Sequence, residues 1–574
     1  MSQANSDIVI DRGKSQFSDL WKKEDYWAIW IGLFLIIVAV CLVFGGRSDL
    51  ESKYDQYAAT LKAEAAKPFK TIEWYDASAA QKGLQGQKLP AVAALINYIK
   101  TPARWSSNPL DSLILSKADA DRMNASVLPK VDEAKAAEAA ALDAAKTAQA
   151  MAADAGFQDN SLNEAATAAI GSWQKAKKAT ADASKKIVKP FNRIPTLIVL
   201  GLCLGVLVTI GAVVMGFNAG RFFVAFLVVY LLCILANILG NQVTMRRYGA
   251  NAEIWSIAIG MIIANTIGTP KWLQDGSQVE YYIKIGLVLL GADVLFHKIM
   301  AIGIPGIFVA WVVTPIVLIT TFIFGQKVLK MPSRTLNIVI SADMSVCGTS
   351  AAIATAAAAR AKKEELTLSL GLSMTFTAIM MIVMPAFIKA VGMPEILGGA
   401  WIGGTVDATG AVAAAGAWIG PKALQVAATV KMIQNVLIGV TAFCVAIYFT
   451  TKVDNTGEKV GAGEIWNRFP KFVIGFLAVS VIMSIISANL GGDFAKMLVD
   501  NGVNKVANPL RGWFFCLAFI SIGLTTDFRA LAKYFKGGKP VILYVCGQSL
   551  NLALTLLMAW IMFYKVFPEI TARI

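Results

Sequence analysis

Apolar runs of about 18 residues or more recur along this chain, each long enough to cross the hydrocarbon core of a bilayer as a helix. They lie near residues 27–45, 194–217, 221–240, 251–268, 281–300, 302–326, 335–359, 366–391, 421–450, 469–489, 509–526 and 539–564, with a weaker candidate at 397–418. A backbone in lipid must satisfy its own hydrogen bonds, which restricts spanning segments of this length to helices. The expectation is an all-α polytopic membrane protein of about 12 to 13 segments. With 56% hydrophobic and 16% charged residues, a 574-residue chain is too apolar for an ordinary soluble enzyme.

The formal net charge of +15 does not point to nucleic acid, because the basic residues sit in loops and one soluble stretch without an aromatic-studded basic face. Positive-inside topology accounts for it. All seven cysteines fall in apolar runs, so no extracytoplasmic disulfide framework is expected. One histidine, His297, and no Cys, His and acid spacing of the metal-binding kind leave no metal site or other cofactor to expect. There is no Walker A motif and no visible nucleophile and base pair, so neither ATP drive nor catalysis is expected.

Four regions follow from the changes in composition. Residues 1–26 form a charged tail whose Arg12, Lys14, Lys22 and Lys23 favour the cytoplasmic side, and 27–45 reads as a retained anchor, since no A-x-A cleavage pattern follows it. Residues 46–193, rich in Ala, Lys, Asp and Glu, read as an inserted extracytoplasmic helical domain with a helical hairpin broken at Gly156 to Asn160, and with Trp74, Trp105 and Trp173 as small-core anchors. Residues 194–574 form the membrane domain. The charge rule meets one conflict: Arg360, Lys362 and Lys363 fall outside if 335–359 crosses fully, unless that segment is re-entrant. A short echo between L290-GADVLFHKI and I522-GLTTDFRAL suits inverted repeats, although Gly and Phe are common enough in membrane helices to match by chance.

Function is expected where two apolar segments break. S341-ADMSVCGTSAAIATAAAA and G398-GAWIGGTVDATGAVAAAGAW each carry glycines, hydroxyls and one acid. Small residues alone signify close packing, but an acid at bilayer depth costs ~2.5–3.5 kcal/mol on insertion scales and belongs where it lines a cavity or finds a partner. A broken helix also presents backbone N–H groups at the N-terminus of its second half, which suits an anion. The candidate anion-binding residues are Ser345, Cys347, Gly348, Thr349 and Ser350 in the first segment, and Gly403, Gly404, Thr405, Thr409 and Gly410 in the second. Asp343 and Asp407 are the candidate carriers of a coupling proton or sodium ion. Lys431, Gln434 and Asn435 share one helical face on the next run; Lys431 either neutralises Asp407, attracts the anion, or snorkels to an interface. Asn265, Asn489 and Asn551 read as interhelical hydrogen-bond partners.

The run S345-VCGTSA resembles a signature of the YeiH-like family of proposed sulfate exporters, and G403-GTVDATGAVAAAG resembles that family's second signature. The resemblance covers residues 194–574 and leaves out the anchor and the 46–193 domain. Many relatives carry His or Asn directly before the second acid, where this chain has Val406. The resemblance implies a bacterial inner-membrane carrier exporting a small inorganic anion, sulfate or sulfite, with crossed discontinuous helices as in cation-proton antiporter and bile-acid symporter folds. Its expected partners are the anion, a coupling proton or sodium ion, the lipid bilayer and, compatibly, further copies of itself. A membrane-anchored sensor or an anion channel is the alternative, and a mere anchor needs neither two glycine-broken segments nor intramembrane acids.

Overall fold

The structure is a computed structural model that describes residues 17–247, 250–293, 296–453, 470–529, 538–572 and 574. Arg12, Lys14, most of the basic stretches 452–471 and 529–539, and the side chain of His297 lie outside the described residues. Among those described, nine helices are long and apolar enough to cross a membrane: Glu24–Gly45, Ile194–Val214, Ala219–Gly240, Ile299–Lys327, Lys363–Ala390, Pro421–Val453, Phe472–Leu490, Gly492–Thr525 and Lys539–Val566. The all-α polytopic reading is borne out.

The segment count from hydropathy is higher because four apolar runs do not form full-length helices. Residues 281–300 do not make one span: the helix Val279–Leu290 ends after 12 residues, and a new helix begins at Phe296. Gly291 follows immediately, where a Cβ would strike the carbonyl oxygen of Phe476. Ala252–Thr266 is a 15-residue helix, about 22 Å long. The runs 335–359 and 397–418 each break into two half-helices. A hydropathy window measures the apolar content of these runs and not the turn inside them.

The chain divides into two compact units. One comprises Met1–Ile36, Gly201–Ile486 and Ala507–Ile574; the other comprises Ile37–Leu200 and Ser487–Val506. In the second unit, Leu128–Asp154 and Asn160–Ser184 form an antiparallel pair that buries Ala145, Ala152, Ala166, Ile170 and Trp173 against Phe69 and Ile72. Gly156 and Phe157 adopt positive φ at the turn. Asp159 starts the return helix by accepting from the Ser161 and Leu162 amides, at 2.8 and 3.3 Å, and from the Ser161 hydroxyl. These bonds, the hydroxyl first, hold its carboxyl below the usual carboxylate range. Of the three tryptophans, Trp173 is fully buried, whereas Trp74 is half-buried beneath the Lys70 ammonium at 4.3 Å and Trp105 is half-buried. A two-stranded antiparallel ribbon pairs Ile114–Leu115 with Phe191–Asn192.

In the first unit, small residues set the closest helix crossings. Helix Ala252–Thr266 meets helix Asn504–Thr525 at Gly260 and Gly523, and a Cβ on Gly260 would lie 2.5 Å from the Ile520 carbonyl and 2.7 Å from the Leu524 nitrogen. Both obstacles are backbone, so neither can rotate away. Gly260→Val is expected to cost ~1–3 kcal/mol or more as overpacking, read as a lowered apparent melting temperature of the purified protein in detergent. An unchanged melting temperature would show that the two helices separate freely.

The sequence echo has a counterpart at these crossings. Gly291 and Gly523 each pack against the backbone of a neighbouring helix. Asp293 meets Asn508 and Arg511, each at 3.3 Å, near the start of helix Asn504–Thr525, and Asp527 follows its end. From Arg511 to Thr525 that helix rises about 21 Å, so the two copies lie at opposite ends of it.

Candidate functional site

The two broken segments are re-entrant hairpins. In the first, Ser333 caps helix Arg334–Ser345 by accepting from the Leu336 amide at 3.1 Å. The chain is extended at Cys347, and Gly348–Ala358 then runs back, packing Ala352, Ala356 and Ala359 against Ile338 and Val339. The hydroxyls of Ser333 and Thr335 both donate to Glu365, at the start of helix Lys363–Ala390. The chain therefore enters and leaves on the same side, and Arg334, Arg360 and Lys363 share that side. This removes the charge-rule conflict, because 335–359 does not cross.

The second hairpin joins Glu395–Thr405 to Thr409–Ile419 through an extended turn at Val406 and Ala408. Its ends also meet: the Glu395 carboxylate accepts from the backbone amides of Lys422 and Ala423, at 3.1 and 3.4 Å. The two hairpins are separated by the 28-residue helix Lys363–Ala390, a rise of about 42 Å. They enter from its opposite ends. Their tips touch, with the Gly348 amide donating to the Asp407 carbonyl at 3.1 Å. The arrangement thus differs from the expected crossed discontinuous helices: each segment turns back instead of continuing through.

Breaking a helix frees carbonyls at its C-terminal end and amides at the N-terminus of the next. Side chains from two long neighbouring helices take the carbonyls. Gln434 Nε2 lies 3.0 Å from the Ser345 carbonyl, 3.1 Å from that of Gly404 and 3.0 Å from the Thr314 hydroxyl. Lys431 Nζ donates to the Val346 carbonyl at 3.0 Å and to Gln434 Oε1 at 2.8 Å. From helix Lys539–Trp560, Gln548 donates to the Thr405 carbonyl at 2.8 Å and Asn551 to that of Met344 at 3.2 Å. Lys431 is 1% exposed and capped to backbone, which excludes the snorkelling reading.

The N-terminal ends behave differently, since they face cavities. Cys347, Thr349, Ser350, Thr409 and Asn435 line a cavity of about 450 Å³, and Asn435 Nδ2 donates to the Thr409 hydroxyl at 3.1 Å. Gly348 and Gly410 line an adjoining space of about 330 Å³, together with Ser373 and Thr377. The mouth of the larger cavity is charged. There Lys284 Nζ meets Glu24 at 2.5 Å, Asp25 at 2.8 Å and Glu280 at 3.5 Å, and the Lys471 amide donates to Asp25.

Four residues expected at the anion are placed in helix packing. Ser345 and Thr405 turn their hydroxyls onto the carbonyls of Ser341 and Trp401, one turn back in their own helices. Gly403 and Gly404 lie within helix Glu395–Thr405, and added Cβ atoms would meet the Ala427 carbonyl and Thr555 at 2.6 Å. Glycine density was legible in sequence as unwound backbone, but here half of it serves close helix contact.

Asp343 and Asp407 are both buried, 0% and 1% exposed, beside the touching tips. Ser369 donates to Asp343 Oδ2 at 2.6 Å; Ser373, at 3.4 Å, and Tyr544 donate to Asp407 Oδ2. Asp343 Oδ1 is buried without a hydrogen-bond partner among the described residues. A Cβ on Gly348 would lie 3.5 Å from Asp343 Oδ1, 3.5 Å from Asp407 Cβ and 2.8 Å from Ser373 Oγ, so this glycine sits between the two acids. Ser369, Ser373, Tyr544 and Gln548 were not singled out from sequence. Tyr544, Gln548, Asn551 and Thr555 do form a polar stripe at helical spacing on an otherwise apolar helix, and that stripe was the available signal.

Comparison with known proteins follows the same hairpins. The family model described as conserved hypothetical protein 698 matches residues 224–544, which contain both. A UPF0324 membrane protein of Nitratidesulfovibrio vulgaris is 58% identical over 579 residues, covering the whole of both chains. A UPF0324 membrane protein of Rhodopirellula baltica is 56% identical over 359 residues, 62% of this chain and 66% of that one. The UPF0324 inner membrane protein YeiH of Escherichia coli K12 is 26% identical over 314 residues, 53% of this chain and 84% of its own. No solved structure matches. With more than half the chain inside the family model and a full-length relative at 58% identity, this chain belongs to the UPF0324 family of membrane proteins.

Proposed function

We propose that this protein is a secondary active transporter of a small inorganic oxyanion, sulfate or sulfite, working by alternating access and not by catalysis. The observation that carries this reading is the asymmetry of the hairpin tips. Their freed carbonyls are capped by Lys431, Gln434, Gln548 and Asn551, whereas the N-termini of both returning half-helices, with Thr349, Ser350 and Thr409, face the same cavity system. Fixed amides and hydroxyls with the positive ends of two helix dipoles suit an anion. Two hairpins entering from opposite sides bring the site within reach of either face. Asp343 and Asp407 carry the coupling ion, a proton or sodium. In this reading the protein sits in the bacterial inner membrane, as YeiH is described to, with its N-terminus cytoplasmic and residues 46–193 extracytoplasmic.

The test is flux of labelled sulfate and sulfite into proteoliposomes under imposed pH and sodium gradients. Thr349→Val and Thr409→Val are expected to raise KM about tenfold to a hundredfold each, the loss of one hydrogen bond to a charged group at ~1.5–3 kcal/mol, while leaving the fold intact. Movement of neither anion under any gradient would overturn the reading.

A further inference from the structure

We propose that the ion carried by the Asp343 and Asp407 pair is a proton and not sodium. The proposal rests on the reading of these two acids as the coupling pair, and it is carried by what the hairpin breaks do with their carbonyl groups. Where an unwound membrane helix holds a metal ion, freed carbonyls and half-helix C-terminal ends supply much of its oxygen shell. Here six of those carbonyls already accept a hydrogen bond: Met344, Ser345, Val346, Gly404 and Thr405 each from a side-chain amide or the Lys431 ammonium, and Asp407 from Gly348. A hard cation would be left with carboxylates and hydroxyls.

The hydroxyls point the same way. Those of Ser369, Ser373 and Tyr544 all donate to carboxylate oxygens, so three of the lone pairs a metal would draw on are already engaged. A proton needs only one oxygen, and Asp343 Oδ1 is buried with no partner among the described residues. Two carboxylates held apart by a single glycine cannot both stay ionised cheaply in a buried site. The titratable groups that face them are Tyr544 from helix Lys539–Trp560, Lys431 from helix Pro421–Asn435 and Cys347 at the first tip; helix Lys363–Ala390 presents only Ser369 and Ser373. The Lys431 ammonium directs two of its three protons to the Val346 carbonyl and Gln434, and its action on the acids is that of a nearby charge.

A polar route from the smaller cavity to the acids is also present. Ser373 lines that cavity and donates to Asp407, and Thr377 lines the same wall one helical turn further on, its hydroxyl buried without a partner among the described residues. The step is a plain proton transfer: a hydronium ion entering that cavity gives its proton to the Ser373 oxygen and becomes water, while the original Ser373 hydroxyl proton passes to Asp407 Oδ2, so one O–H bond forms on the carboxylate and that of Ser373 is restored. Its reversal returns the proton to water. No electrons move and no other co-reactant is needed.

The experiment uses the purified full-length protein and no transported anion, so its outcome is independent of whether sulfate or sulfite is carried. Infrared difference spectra across a pH titration are expected to show the carbonyl stretch of a buried protonated carboxylic acid, lost in Asp343→Asn or in Asp407→Asn. Replacing sodium by choline at constant ionic strength is expected to leave both that band and the melting temperature unchanged. Two results would overturn the proposal: a sodium-dependent rise in melting temperature that disappears in either Asn variant, or a titrating band that survives in both. Should one variant not fold, Ser373→Ala decides in its place: it is expected to shift the pH midpoint of the band without abolishing it, and an unmoved midpoint would overturn the proposal.

Discussion

Gln434→Leu is expected to disassemble the centre of the membrane unit, the largest stability loss among the substitutions considered. One side-chain amide sits within 3.1 Å of a carbonyl from each hairpin and of the Thr314 hydroxyl, and its oxygen accepts from Lys431. Leucine matches its bulk but strands the Ser345 and Gly404 carbonyls and takes one of two acceptors from the Lys431 ammonium, which keeps only the Val346 carbonyl, all in a buried place. Each stranded group costs ~1–3 kcal/mol, and more where it is charged, so a total of about 4 kcal/mol or more is expected. The measurement is thermal unfolding and monodispersity in detergent. Adding Lys431→Met to Gln434→Leu removes that ammonium, so the double variant is expected to be more stable than the sum of the single changes. Simple additivity would show that Lys431 and Gln434 do not act as a unit.

Gly348→Val is expected to cut transport about tenfold or more while the protein still folds. The added side chain would enter the space between Asp343 and Asp407 and press on Ser373, 2.8 Å from the new Cβ. It would also disturb the Gly348 amide that joins the two tips at Asp407. The cost of ~1–3 kcal/mol for such crowding falls on the one place where both acids and both returning helices meet, and a loss of about tenfold or more follows at ~1.4 kcal/mol per tenfold. Gly410→Ala is the control. There a Cβ would meet Ile522 at 3.4 Å, Val279 at 3.5 Å and Ile283 at 3.9 Å, all side-chain contacts of ordinary length. Equal loss of flux in the two variants would mean that the tip glycines matter only for flexibility, and not for the space between the acids.

Both expectations depend on residues whose roles are unequally visible in sequence. Asp343 and Asp407 are legible because an acid in an apolar run is costly and demands a reason. Lys431, Gln434 and Asn435 are legible as one face through their i, i+3 and i+4 spacing. Their task was not: the sequence offers an anion or an acid as the partner of Lys431, and the structure gives it the Val346 carbonyl and Gln434. Ser369, Ser373 and Tyr544 look like ordinary polar residues on long helices, and they acquire meaning only when those helices pass the hairpin tips.

The chain alone reveals the solvent, the fold class and the place of the two hairpin breaks, because apolar length, glycine density and misplaced charge are local properties read along it. It also marked the basic cluster near Arg360 as a conflict with a full crossing. Only the tertiary structure decided that both broken segments turn back, that they enter from opposite ends of helix Lys363–Ala390, and that their tips meet at Gly348 and Asp407. The physical reason is that direction after a break is set by distant partners. Ile338 and Val339 must find Ala352 and Ala356, Glu395 must find the Lys422 and Ala423 amides, and every freed carbonyl needs a donor from another helix.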